Sequence, residues 1–202
     1  MTAHDPLDDA VRRMLAGDEA SFREVYRAVH PVLLRYLTVM VGADEAEDVA
    51  SEAWAQAFRD LGRFTGGADG FRGWLTTIAR NRALDHLRRQ TRRPQADLDL
   101  EIAETYAVVA GADDHVLDAL STDGAVALIA NLPREQAEAV MLRAVLGFDA
   151  PTAARILGKR PGAVRTAAHR GLAALAKRLE DRPEQSTAGR HAARPSGARE
   201  RA

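Results

Sequence analysis

The sequence predicts an all-α protein: two small helical domains joined by an acidic linker and followed by a disordered C-terminal tail. Three observations carry this expectation. Of the 202 residues 46% are hydrophobic but only 5% aromatic, so the core must be built from Leu, Val, Ile and Ala, as helical cores usually are. No stretch sustains the alternation of apolar and polar residues that a half-buried strand would show. Charge is laid out in blocks: seven arginines against the single acid Asp85 over residues 71–93, eight acids and no Lys or Arg over 94–133, then nine basic residues against three acids over 134–178. A basic module, an acidic connector and a second basic module follow one another, and the length suits either one ordinary domain or two small ones. The boundaries read as 1–93, 94–124 and 125–180, with the tail at 181–202.

Helices are expected at residues 6–16, 21–41, 43–61, 71–91, 124–131, 133–146, 150–157 and 161–181. Asp18 and Ser21 stand before the second helix and Gly42 ends it. Pro133 and Pro161 occupy first-turn positions, where a missing N–H costs nothing. The third and fourth helices are joined by GRFTGGADGFRG, whose glycines suit either a close approach to a DNA strand or an ordinary flexible connection. The acidic connector holds the turn-forming runs AGADD and STDG, with room for a short helix. The segment DRPEQSTAGRHAARPSGARERA has no apolar period and a Pro, Gly, Ser, Ala and Arg composition that predicts disorder.

Composition also excludes whole classes of function. With no cysteine there is no disulfide, thiolate nucleophile, Cys-ligated zinc or thiol switch within the chain. The start MTAHDPLDDAVRRML has no uninterrupted apolar run, and nothing approaches the roughly 20 apolar residues that span a bilayer, so a cytoplasmic protein without membrane insertion is expected. There is no Walker glycine loop, HExxH or GxSxG, and the six histidines are scattered. No catalytic residue, metal or cofactor is therefore expected.

The stretch APTAARILGKRPGAVRTAAHRGLAAL gives a short helix with Ala153, Ile156 and Leu157 available for burial, a turn at Gly158 and a longer second helix. That is the order of a helix-turn-helix. At about 100° per residue, Val164, Ala168, Gly171, Leu172, Leu175 and Leu179 fall on one side of the second helix. The motif braces its second helix so that the N-terminal half enters the major groove, and Lys159, Arg160, Arg165, Thr166, His169 and Arg170 are placed for bases and phosphates. A solvated helix of an ordinary bundle is the plainer reading of the same pattern.

These residues, within ANLPREQAEAVMLRAVLGFDAPTAARILGKRPGAVRTAAHRGLAALAKRL, resemble region 4, the promoter-binding domain of the extracytoplasmic-function (ECF) sigma factors of the sigma-70 superfamily. The N-terminal half resembles region 2 of the same family in three places: SFREVYRAVHPVLLRYL, DEAEDVASEAWAQAF and FRGWLTTIARNRALDHLRRQTRR. The resemblance implies a non-enzymatic subunit that binds core RNA polymerase, recognises promoter −35 and −10 elements and helps to open the DNA. It implies that Asp48, Ser51, Glu52 and Trp54 contact a coiled coil of the polymerase β′ subunit; on the same helix Val49, Ala53 and Phe58 are expected to turn inward. By the same analogy Arg72, Arg80, Asn81, Arg88 and Arg89 follow DNA at the −10 element, where Phe64 and Phe71 are the aromatic platforms on offer for single strands. An anti-sigma factor is the further partner implied. The competing reading is a stand-alone helix-turn-helix regulator that does not bind core polymerase; a protein-binding adaptor leaves both sets of arginines without a purpose.

Overall fold

Each expected helix is present with an apolar face in the computed structural model, which describes residues 6–92 and 122–180. The expected connector structure and the expected disordered tail lie outside the described residues. Helix α1 (Pro6–Leu15) buries Ala10, Val11 and Met14. Helix α2 (Glu19–Val41) starts at Asp18, whose carboxylate accepts from the N–H groups of Ala20 and Ser21 at 3.2 Å each, satisfying donors that have no partner inside the helix. It ends at Gly42, whose φ of 89° suits a residue without a Cβ. Helix α3 (Ala43–Asp60) follows at once and closes through a single 3-10 turn, Leu61–Arg63.

Helix α4 (Ala68–Arg92) is capped by another helix: Asp8 on α1 accepts from the Ala68 N–H at 2.5 Å, which ties the loop ahead of α4 to the N-terminus of the chain. Tyr36, Leu33, Leu37, Leu75 and Phe71 are fully buried where α2, α3 and α4 meet. In the second module, α5 (Thr122–Ala130) begins two residues before the expected start. Helix α6 (Arg134–Val140) passes into a π-helical turn at Met141–Val145, where a regular helix to residue 146 was expected. That wider turn ends at Gly147 (φ 74°) and leaves the Leu146 carbonyl facing α4. Helices α7 (Ala150–Leu157) and α8 (Pro161–Glu180) complete the fold, and no strand occurs among the described residues. The all-α expectation holds. The two modules also pack on each other, because buried residues of α2 and α4 join those of α6 and α7 in one continuous apolar cluster.

Candidate nucleic-acid and polymerase-binding surfaces

The helix-turn-helix is built by local chemistry. Asp149 caps α7, accepting from the Thr152 N–H at 2.8 Å, and hydrogen bonds from the Thr152 side chain and backbone hold its carboxyl below the usual range. Gly158 then takes the left-handed conformation (φ 65°, ψ 33°) that ends a helix without strain, and Pro161 starts α8. Val164, Ala168 and Gly171 bury one stripe of α8 against α6. A Cβ at Gly171 would stand 2.6 Å from Val140 Cγ2, so the two helices touch through a position where only hydrogen fits.

Arg160 just ahead of α8, and Arg165, Thr166, His169 and Arg170 on its outer face, are all exposed. Thr166 donates to the Gly162 carbonyl at 3.1 Å, inside its own helix. Among the described residues Lys159 is the one of the six candidates drawn to an acid: it pairs with Glu135, whose carboxyl is held below its usual range by that hydrogen bond. Leu172 corrects the helical-wheel expectation, since it is 47% exposed, and Leu179 is exposed with it. The contact with α6 runs through the small residues, and Leu172 lies on its flank, about 80° round from Val164 at 100° per residue.

On α3, Asp48, Ser51 and Glu52 are exposed along one stripe. Trp54 is not with them: it is 7% exposed, its ring 6.0 Å from Phe22, 4.9 Å from Tyr26 and 6.1 Å from Phe71. Its position follows that of Ala46, Ala50, Ala53 and Ala57, all buried, so the indole fills the space those alanines leave. Phe58 is the residue the sequence reading turned the wrong way. It is 65% exposed, edge-on to Phe22 at 5.9 Å, and shares the stripe of Ser51 and Ala55 at i+7 and i+3. The spacing alone gives that placement; assuming that any Phe turns inward hid it.

The polar side chains of α4 divide into an exposed set and a set engaged within the protein. Asn81, Arg88 and Arg89 are exposed, with Arg88 paired to Asp85 at 3.0 Å. Arg82 is engaged by Gln56 on α3 through two hydrogen bonds of 2.8 and 2.6 Å. Arg72 and Arg80 do not join the exposed set: they point into the contact between the modules, Arg72 donating to the Leu146 carbonyl and Arg80 to Glu138. Phe71 is buried and Phe64 half-buried, stacked on Trp74 at 5.0 Å, so neither ring is a free platform. Among the described residues no His or acid cluster could hold a metal, and no helix is long and apolar enough to cross a membrane.

Comparison with known proteins agrees with this layout. Residues 22–93 match the family described as Sigma-70 region 2, and residues 125–175 match Sigma-70, region 4. The chain is 32% identical to the ECF RNA polymerase sigma factor SigD of Mycobacterium tuberculosis, over 87% of this chain and 82% of SigD. It is 33% identical to the ECF sigma factor BldN of Streptomyces coelicolor over 86% of this chain, spanning 66% of BldN's length. Among solved structures, the fold resembles the sigma factor RpoE crystallised with the anti-sigma factor NepR from Bartonella quintana, with a TM-score of 0.62, 24% identity and coverage of 80% of this chain and 98% of that one.

Proposed function

Since the chain belongs to the ECF RNA polymerase sigma factors, non-enzymatic subunits that direct RNA polymerase to promoters, we propose which of its surfaces does each part of that work. The exposed face of α8 reads the −35 element: Arg165, His169 and Arg170 meet base edges and phosphates, with Arg160, Thr166 and Lys159 at the near end of the groove. Lys159 exchanges Glu135 for phosphate at little cost, because both groups of that ion pair are solvated. Asn81, Arg88 and Arg89 follow the −10 element. Asp48, Ser51 and Glu52 give α3 an acidic stripe for the β′ coiled coil, and Phe58 supplies an apolar anchor on the same stripe while Trp54 supports it from behind.

The observation that carries this assignment is the face of α8 behind the Gly158 turn. Arg160, Arg165 and Arg170 are exposed there without a carboxylate partner among the described residues, a placement that nothing in the packing of the chain requires. A stand-alone regulator with the same helix-turn-helix would have no use for the region 2 match over residues 22–93. The chain acts in the cytoplasm with core polymerase, and an anti-sigma factor holds it when it is idle; RpoE, a protein of the same fold, was crystallised with such a partner. The experiment is promoter binding with and without purified core polymerase. Replacing Arg165 and His169 by Ala removes −35 binding and leaves core binding intact, and an equal loss of both would refute the division of labour.

A further inference from the structure

Arg80 ought to be available to DNA, yet it is held inside the protein. Its side chain is 17% exposed, and its Nε donates to Glu138 Oε2 at 2.7 Å. The other oxygen of the same carboxylate accepts from Arg134 Nε at 3.0 Å. The Glu138 side chain is 5% exposed, so this acid is gripped by two guanidiniums, one from each module, in a place closed to water. Beside it the buried Tyr36 hydroxyl has its pKa pushed up by burial and then by the Glu138 charge. Eight residues earlier on α4, Arg72 donates to the Leu146 carbonyl and lies 5.5 Å from the Phe148 ring centre. The second module also reaches α4 at Gly73, where a Cβ would lie in ordinary contact, 3.5 Å from Thr152 Cγ2.

We propose that this contact is a self-cap, in which the Glu138 carboxylate stands in for a DNA phosphate on Arg80 and the second module hides part of the chain's own nucleic-acid face. The proposal rests on the assignment of α4 to DNA made above. A guanidinium recognises carboxylate and phosphate oxygens by the same geometry, so the two acceptors compete for one donor. The pair also suits a reversible contact. When an apolar contact parts, water gains nothing to bind; when this pair parts, water rehydrates both charges and recovers much of what burial cost them. Arg134 leaves with Glu138, four residues along its own helix, so opening strands no acid on α6. Engagement of core polymerase or DNA then releases Arg72 and Arg80 together.

The absence of native cysteine makes the closed contact directly testable in the full chain. The probe is a fluorescent single-stranded oligonucleotide, bound to the free protein over a salt series. Glu138→Gln is expected to bind it about three- to tenfold more tightly, with a salt slope steeper by about 0.7, one further phosphate contact on a single strand. Adding Arg80→Ala to Glu138→Gln abolishes the gain, which a merely loosened fold would not do. In a second arm, Gly73→Cys with Thr152→Cys forms a disulfide on mild oxidation, the oxidised protein binds the oligonucleotide several-fold more weakly than the reduced one, and reductant restores binding. Should Glu138→Gln lose helicity, the disulfide arm carries the test alone. Failure of that disulfide to form, or equal binding by the locked and reduced proteins, overturns the proposal. If the assignment of α4 to DNA is itself wrong the outcome differs: the double-cysteine protein would then give no transcript with core polymerase, oxidised or reduced.

Discussion

Gly171 and Leu172 are neighbours on α8 that behave in opposite ways. A methyl at Gly171 meets Val140 Cγ2 and the Gln136 backbone, so Gly171→Ala should lower stability by about 1–2 kcal/mol net, overpacking strain outweighing the gain of Ala over Gly in a helix. Leu172→Ala, at a half-exposed site, should cost about 1 kcal/mol or less. Urea denaturation of the two variants measures both, and the reverse order would mean that α8 packs in another register. Asp149 gives a pH test. Its folded pKa lies below the unfolded carboxylate value of about 3.9, so its cap stabilises the protein above that pH, and the contribution is lost as pH falls through the folded value. The deficit of Asp149→Ala relative to wild type should therefore be full at neutral pH and shrink below about pH 4, read by denaturation across that range. The Asp18 cap of α2 was legible as a residue type. That a glycine is the contact point of α8 was not, because a period of 3.6 marks a face without saying how close the neighbour comes.

Helices α3 and α8 show what a helical period can and cannot supply. It placed Asp48, Ser51 and Glu52 outside, and Val164 and Ala168 inside, because spacing fixes direction once a helix forms. Phe58 was misplaced by assuming that a large apolar ring turns inward, against its spacing, and Trp54, placed outside by the resemblance, is buried. On α3 we expect Glu52→Lys to weaken core-polymerase binding at least tenfold, and Phe58→Ala to weaken it by a comparable factor while leaving the melting temperature nearly unchanged. Surface plasmon resonance on immobilised core measures both; a Phe58→Ala protein that melts early and binds normally would return Phe58 to the core. On α8, Arg165→Ala and Arg170→Ala should each reduce the salt slope of duplex promoter binding by about 0.9. An unchanged slope for both would place the helix outside the groove.

Across the whole molecule, the order of charge blocks and the two helical modules were legible in the sequence, since each is a local property of composition and period. The contact between the modules was not. Arg80 and Glu138 are 58 positions apart, on either side of the acidic connector, and nothing local to either says that the two will meet. Two candidate DNA residues, Arg72 and Arg80, consequently stand in the contact between the modules and not on the open surface. The central claim concerns the molecule as a unit: it directs polymerase to promoters and does so through core. The most direct measurement is start-site mapping of run-off transcripts from its own genomic DNA, using purified core polymerase with and without the chain. The account predicts a defined set of start sites, each with a shared upstream pair of elements, that appears only when both are present, while the chain alone binds the same fragments weakly. Equal binding of those fragments without core, and no new start site with it, would contradict the account.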